Sequence, residues 1–302
     1  MIILLTTSDN ADTWRFFLAG WGKDIAGDIR RMTYQEALST DPGDLPRGAW
    51  LFTDFDIFER RPVMRMARMW QALSDRGDRL LNHPTRSMRR FQLLRTLKHL
   101  GINEHDVHRA DDPRRPRRFP VFVRNAASHS GPLTRLIPDA ATLDRFIGHF
   151  LDAGWPLESL LVIEHLDTRE ASGACRTYAA MRVGDRIIPD HLWFSDAWMI
   201  KARDAWQLAG SRVDVEALRR QEQAYLAENP HAEQLMRIFE LARIEYGRID
   251  YGMKDGRIEV WEINSNPELS DAWNEVHESY RADVRARFGR RFVDALRAID
   301  PG

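Results

Sequence analysis

Residues 248–264 read Arg-Ile-Asp-Tyr-Gly-Met-Lys-Asp-Gly-Arg-Ile-Glu-Val-Trp-Glu-Ile-Asn. Two runs rich in β-branched and aromatic residues flank a Lys-Asp-Gly turn, which is the pattern of a β-hairpin. A three-residue loop, Lys254-Asp255-Gly256 with Gly256 left-handed, pairs Met253 with Arg257 and Arg248 with Glu262. Asp250 and Glu262 are then diagonal neighbours on one sheet face, and Asn264 shares that face two residues further on. A two-residue turn at Asp255-Gly256 instead sends Asp250 to the opposite face. In the first register, two carboxylates and an amide oxygen cluster at a strand end. Such hard oxygens suit magnesium, which is held by few protein ligands and completed by phosphate oxygens. An ordinary surface hairpin with solvated acids fits the spacing equally well.

The rest of the chain supplies the context. Ile2–Leu5 and Ala49–Phe52 read as buried strands, with a helix around Ala11–Gly20 between them and another at Met64–Arg76. Strands alternating with helices predict a small parallel α/β domain over residues 1–84. Ser87 is placed to cap a helix at Met88–Leu100, closed by Gly101. An irregular stretch follows at Asn103–Arg118, then strands at Phe119–Arg124 and Leu160–Glu164 around a helix at Leu143–Ala153. Arg176–Val183, Gly184-Asp185 and Arg186–Pro189 read as strand, turn, strand. Val213–Asn229, Ala232–Tyr246 and Val284–Ala298 are helical. The 302 residues divide into segments 1–84, 85–165 and 166–302.

With 43% hydrophobic residues the chain can build a sizeable core, and a formal net charge of −1 gives no global attraction to DNA or an anionic membrane. The basic run Arg114-Arg-Pro-Arg-Arg118 lacks interleaved aromatics, so it reads as a solvated linker, not a nucleic-acid surface. Ten tryptophans are enough to raise a carbohydrate or aromatic ligand, yet Trp50, Trp70 and Trp261 fall within strand or helix patterns. A lone cysteine, Cys175, and an N-terminus without the basic start of a signal peptide predict a cytoplasmic protein. No apolar run reaches the length of a membrane helix.

The hairpin and the Asn264-Ser-Asn-Pro-Glu-Leu269 segment after it resemble the closing motif of the ATP-grasp superfamily, of the type of D-alanine–D-alanine ligase and glutathione synthetase. In that superfamily an Asp on one strand and Glu-x-Asn on its partner, followed by a proline, hold the magnesium ions bound to ATP. The resemblance covers most of the chain. It implies an α+β fold in which two subdomains sandwich ATP behind the N-terminal α/β domain, with Asp250, Glu262 and Asn264 as ligands of Mg2+, two ions in the usual case and Mn2+ as a substitute. Ser87-Met-Arg-Arg-Phe-Gln-Leu-Leu resembles the helix start that carries a basic residue, here Arg90. Phe119-Pro-Val-Phe-Val-Arg124 resembles the strand whose last residue, usually lysine, touches the phosphates. Of the 44 basic residues all but Lys23, Lys98, Lys201 and Lys254 are arginine, and arginine keeps the charge on a larger, more rigid fork.

Asn125–Pro132 resembles the loop that folds over the nucleotide, with Ser128, Ser130 and Gly131 as phosphate contacts. Leu160–Leu166 resembles the strand and hinge whose main chain reads the adenine edge at Glu164, His165 and Leu166, and Glu170 is in reach of the ribose. Arg176 matches an arginine near the transferred phosphoryl group, and Lys201 a lysine at the γ-phosphate. His191 is a further candidate contact, although a lone histidine is more often structural. Asp54, Asp56, Trp193 and Trp198 are candidates for the acceptor site.

The activity the resemblance implies is ATP-dependent ligation, in which a small-molecule or peptide carboxylate becomes an acylphosphate and is captured by an amine. No nucleic acid or membrane partner is expected, and the family's frequent dimers leave a homodimer open. The alternatives are an ATP-grasp kinase that stops after phosphoryl transfer and a non-catalytic nucleotide-binding module.

Overall fold

The computed structural model describes residues 1–58, 60–209, 213–269 and 280–300. Three sheets carry the fold. The first is parallel, in the order β2 (Ile29–Thr33), β1 (Ile2–Thr6), β3 (Ala49–Phe52), β4 (Arg79–Leu81). Parallel strands are buried on both faces and so read as continuous apolar runs, as β1 and β3 do. Ile3, Leu5, Trp50 and Phe52 pack on the helices α2 (Tyr34–Ser39) and α3 (Arg60–Asp75). Ile2, Leu4, Ala49 and Leu51 face the other way, onto Trp14, onto Phe17 of the short helix α1 (Arg15–Ala19), and onto the C-terminal helix, here α8 (Tyr280–Ile299). Sequence reading missed β2 and α2. Strand β2 buries only one of its five residues, so it carries no apolar run, and its identity comes from pairing with β1.

The second sheet is antiparallel, β5 (Val107–Arg109), β7 (Leu160–Glu164), β6 (Val121–Asn125). Val121, Val123, Leu160 and Val162 pack on α5 (Ala140–Asp152), which Asp139 caps through Thr142 N–H at 2.8 Å. Phe122, Leu161 and Ile163 face Leu94 of α4 (Arg90–His99). Strand β5 lies inside the stretch expected to be irregular. The expected cap of α4 is corrected too: the Ser87 hydroxyl donates to the Arg243 carbonyl at 2.6 Å, and the Arg89 N–H donates to Gln92 at the helix start.

The third sheet is β11 (Arg257–Asn264), β10 (Tyr246–Lys254), β8 (Cys175–Val183), β9 (Arg186–Ser195), antiparallel throughout. One face, with Tyr178, Ala180, Leu192, Ile249 and Tyr251, packs on α6 (Val215–Ala227) and α7 (Ala232–Ala242). The opposite face looks toward the second sheet.

The β10–β11 hairpin departs from the expected register in an instructive way. Its turn is the two-residue Asp255-Gly256, both with positive φ, so Lys254 pairs with Arg257. That turn alone would put Asp250 on the wrong face. A bulge then inserts Trp261 as an extra residue on β11, and Asp250 pairs directly with Glu262 and Arg248 with Asn264. The two shifts offset each other, so the three oxygen-bearing side chains still share a face, directly opposed where a diagonal arrangement was expected. Among the described residues no helix is long and apolar enough to cross a membrane.

Candidate active site

A cleft of about 460 Å³ opens between the second and third sheets, with its rim completed by Asn10, Thr13 and Asp54 of the N-terminal sheet region. One end is apolar. Leu94 of α4 and Phe122 and Ile163 of the second sheet line it on one side, and Trp198, Met199 and Trp261 on the third-sheet side. The bulge turns the Trp261 ring into this end, where it lies 5.2 Å from the His105 ring. Gly252 makes room for it: a Cβ there would stand 2.7 Å from Trp261 Cζ2.

The other end is charged. Glu262 is buried and is ion-paired with Arg90 and, at 3.1 Å, with Arg124. Burial alone would raise its pKa, but the two guanidinium groups and His129 outweigh that and hold it well below the usual carboxylate range. Arg90 also donates to the carbonyls of Asn125, Ala126 and Ser128, so one guanidinium ties α4 to the 125–132 loop and to β11. Asp250 receives two hydrogen bonds from Arg248, at 2.9 and 3.3 Å. Asn264 Oδ1 accepts from the Asn266 N–H at 2.8 Å. Lys201 reaches the cleft over Gly131, where φ is +107° and a Cβ would lie 3.1 Å from Lys201 Cε. Its ammonium donates to the His129 carbonyl at 3.4 Å, and burial lowers its pKa.

Arg124, Leu166, Lys201, Asp250, Glu262 and Asn264 therefore meet in one cleft, with Arg90 and Gly131 directly behind it. Other expected residues are placed differently. Arg176 borders the cleft, but it pairs with Phe194 in the sheet and so alternates away from Thr177. Its guanidinium is ion-paired with Glu170 and donates to the Tyr178 hydroxyl at 3.0 Å. Glu170 is thereby drawn to a neighbouring polar pocket and does not line the cleft. The Glu164 carboxylate, buried, accepts from Arg117 N–H, Arg118 N–H and Arg118 Nε, and the His165 N–H is spent on the Pro120 carbonyl at 2.9 Å. These bonds tie the 104–118 segment to β7 and leave neither the Glu164 side chain nor the His165 N–H for a ligand. Ser128 and Ser130 bond to each other, hydroxyl to hydroxyl at 3.0 Å. Asp54 lines the cleft with its carboxylate already accepting from Thr6, Thr7, Asn10 and Asn266.

Three residues in or directly behind the cleft, Arg248, His129 and Asp190, were not singled out from the sequence. Arg248 lies two residues before Asp250 on the same strand, so parity alone puts it on the same face. His129 is hydrogen-bonded to Asp56 at 3.0 Å and lies 3.7 Å from Glu262. Burial would lower its pKa, but these two carboxylates outweigh that and raise it to about 9. No local pattern marks His129, because its partners lie 73 and 133 residues away in the chain. Asp190 and His191 sit side by side at a second bulge, where β9 carries one residue more than β8.

The donor set of Asp250, Glu262 and Asn264 fits a hard divalent cation. Among the described residues no group of three or more His, Cys, Asp or Glu side chains is arranged to hold a metal. The surrounding cations Arg90, Arg124, Arg248 and Lys201 would repel a bare ion, so the set fits magnesium that arrives with the negative charge of a polyphosphate.

No protein-family model matches the chain, and no curated protein matches it. Solved structures do. The D-alanine–D-alanine ligase of Bacillus anthracis complexed with ATP superposes with a TM-score of 0.53 at 16% identity, covering 97% of this chain and 98% of that one. A second structure of that ligase gives 0.51 at 15% identity, over 97% and 99% of the two chains. The ATP-grasp ligase PsnB complexed with a minimal precursor gives 0.50 at 15% identity, over 98% of both. At such identities the likeness establishes the fold, and the fold is ATP-grasp.

Proposed function

We propose that this ATP-grasp chain is an ATP- and magnesium-dependent ligase that activates a carboxylate as an acylphosphate and joins it to an amine. The observation that carries the reading is the cleft itself. An apolar slot built on Trp261, Phe122 and Ile163 runs into a charged end where Asp250, Glu262 and Asn264 face Arg90, Arg124 and Lys201. A purine base suits the slot, and a triphosphate suits the cations. The similar structures support it, since one holds ATP and another a precursor substrate.

In this reading Arg124 and Lys201 bind the phosphates, and Arg90 holds the 125–132 loop over them. Magnesium, held by Asp250, Glu262 and Asn264, would offset charge on the phosphate oxygens. The substrate carboxylate attacks the γ-phosphorus in line and ADP leaves. The amine then attacks the acyl carbon and phosphate leaves. Arg248, on the cleft face between Asp250 and Asp190, is placed to steady the oxyanion formed in that second step.

The neutralised state of Glu262, with two arginines on one carboxylate, favours a second reading: a nucleotide-binding module without turnover. Calorimetry of ATP binding with and without magnesium separates the two. Magnesium-dependent binding that weakens at least tenfold in Glu262→Gln supports the metal site. Equal binding without magnesium favours the module, and absence of binding in either protein overturns the ATP reading.

A further inference from the structure

His191 faces the cleft from β9 and is packed flat on Trp193, with ring centroids 3.6 Å apart and planes at 13°. Behind it, Nδ1 lies 3.1 Å from Asp190 Oδ2. Asp190 is itself gripped by Arg285 of α8, at 2.6 Å to the carboxylate and 3.0 Å to the carbonyl, and by Arg248 at 3.9 Å. These cations outweigh the cost of burial and keep Asp190 ionised. An ionised carboxylate only accepts hydrogen bonds, so Nδ1 must donate. Burial lowers the His191 pKa, so at neutral pH the ring is uncharged and Nε2 carries the lone pair. Among the described residues Nε2 has no hydrogen-bond partner.

The position matters as much as the chemistry. His191 pairs with Ala179, and Ala179 with Asp250, so His191 and Asp250 lie in one row of the sheet. Two strand spacings, about 10 Å, separate them. The residue between is a buried alanine, and Arg248 reaches across it from Asp250 toward Asp190. Asp250, His191 and the Asn10–Thr13 rim line one cleft, the side from which an amine would approach a carboxyl group activated beside Asp250.

We propose that His191, oriented by Asp190, is the base that takes the proton from the incoming amine. The inference rests on the ligase reading above. The amine nitrogen bonds to the acyl carbon, the bond from that carbon to the phosphate-bearing oxygen breaks, and phosphate leaves with the electron pair. An alkyl amine arrives as its ammonium ion: the first proton passes to Nε2 and then to water, which frees the lone pair for attack, and the second, surplus once the new bond forms, leaves with the departing phosphate. Asp190 is a positioning residue in this scheme, because it acts only through the imidazole.

The test uses hydroxylamine, a nucleophile already uncharged at neutral pH, beside ordinary alkyl amines. The full chain, ATP and magnesium are incubated with the L- and D-amino acids and their dipeptides as carboxylates. Hydroxamate formation in the wild type reports the acylphosphate. His191→Gln should cut coupling to an alkyl amine about 100-fold at pH 7, with hydroxamate formation reduced far less. The deficit should shrink as pH rises and the amine becomes its own free base. The charged groups facing His191 are Asp190, Arg248, Asp250 and Arg285. Equal loss of both reactions, or no loss, overturns the assignment. Hydroxamate without coupling to any amine of the set overturns it as well. No hydroxamate from any carboxylate removes the ligase reading, and the inference with it. A second measurement needs no substrate: 15N shifts of labelled histidine should show His191 neutral and protonated on Nδ1 at pH 7. An imidazolium there overturns the proposal.

Discussion

Gly252 shows how one missing side chain positions a site. Any Cβ at 252 meets the Trp261 ring at 2.7 Å, and that ring forms one wall of the apolar slot. Gly252→Ala should cost about 1–3 kcal/mol of stability, as overpacking does, and weaken ATP binding by displacing the ring. Urea unfolding and calorimetry read the two effects separately. Asp190 supplies a second prediction. Its folded pKa is lowered, so its stabilisation is complete above the unfolded value near 3.8 and is lost as pH falls below it. Asp190→Asn leaves Arg285 without its charged partner and should cost about 3–5 kcal/mol at pH 7. The gap between wild type and variant should narrow progressively as pH falls below about 4, and a gap that widens in acid would contradict the ion-pair account.

At the scale of elements, the bulge on β11 decides more than the strands around it. The Asp255-Gly256 turn and the extra Trp261 each flip the register by one residue, and together they restore it. Deleting Trp261 would close the bulge and leave Asp250 paired with Glu262 in a regular ladder, so magnesium dependence of ATP binding should persist while affinity falls with the loss of one wall of the apolar slot, as calorimetry would show. The 125–132 loop is held from three sides. Arg90 takes its carbonyls, Asp56 takes His129, and Lys201 crosses Gly131. Gly131 has φ +107°, where an L side chain is strained. Gly131→Ala should therefore cost about 1 kcal/mol and weaken ATP binding as Lys201 is pushed aside, with calorimetry as the check.

Over the whole molecule, α8 joins the two ends of the chain. Phe292 is fully buried, edge-on to Phe17 at 5.2 Å and to Trp14 at 5.9 Å, and stacked with Phe288 at 5.7 Å. The same helix sends Arg285 to Asp190, so the last helix braces both the N-terminal sheet and the floor of the cleft. Phe292→Ala should lower unfolding stability by about 3–5 kcal/mol. Loss confined to the third sheet, with the N-terminal sheet unaffected in hydrogen exchange, would contradict this shared core.

The residues themselves carried the parallel N-terminal sheet and most strand positions, because apolar runs and alternation are local signals that survive without tertiary context; Asp250, Glu262 and Asn264 share a face as expected, but through a turn and a bulge that alternation did not show. Arg248 was legible too, by parity with Asp250, though it was passed over in favour of Arg176. What lay beyond the sequence depended on contacts between distant segments. The Trp261 and Asp190 bulges break the two-residue period, so alternation misreports the faces on either side of them. His129 acquires its carboxylate partners only when Asp56 and Glu262 arrive from distant segments, and the Glu164 carboxylate is taken up because the 104–118 segment folds back onto it. Periodicity states which face a residue occupies within its own strand; only packing decides what stands opposite, and a charge is defined as much by its neighbours as by its own chemistry.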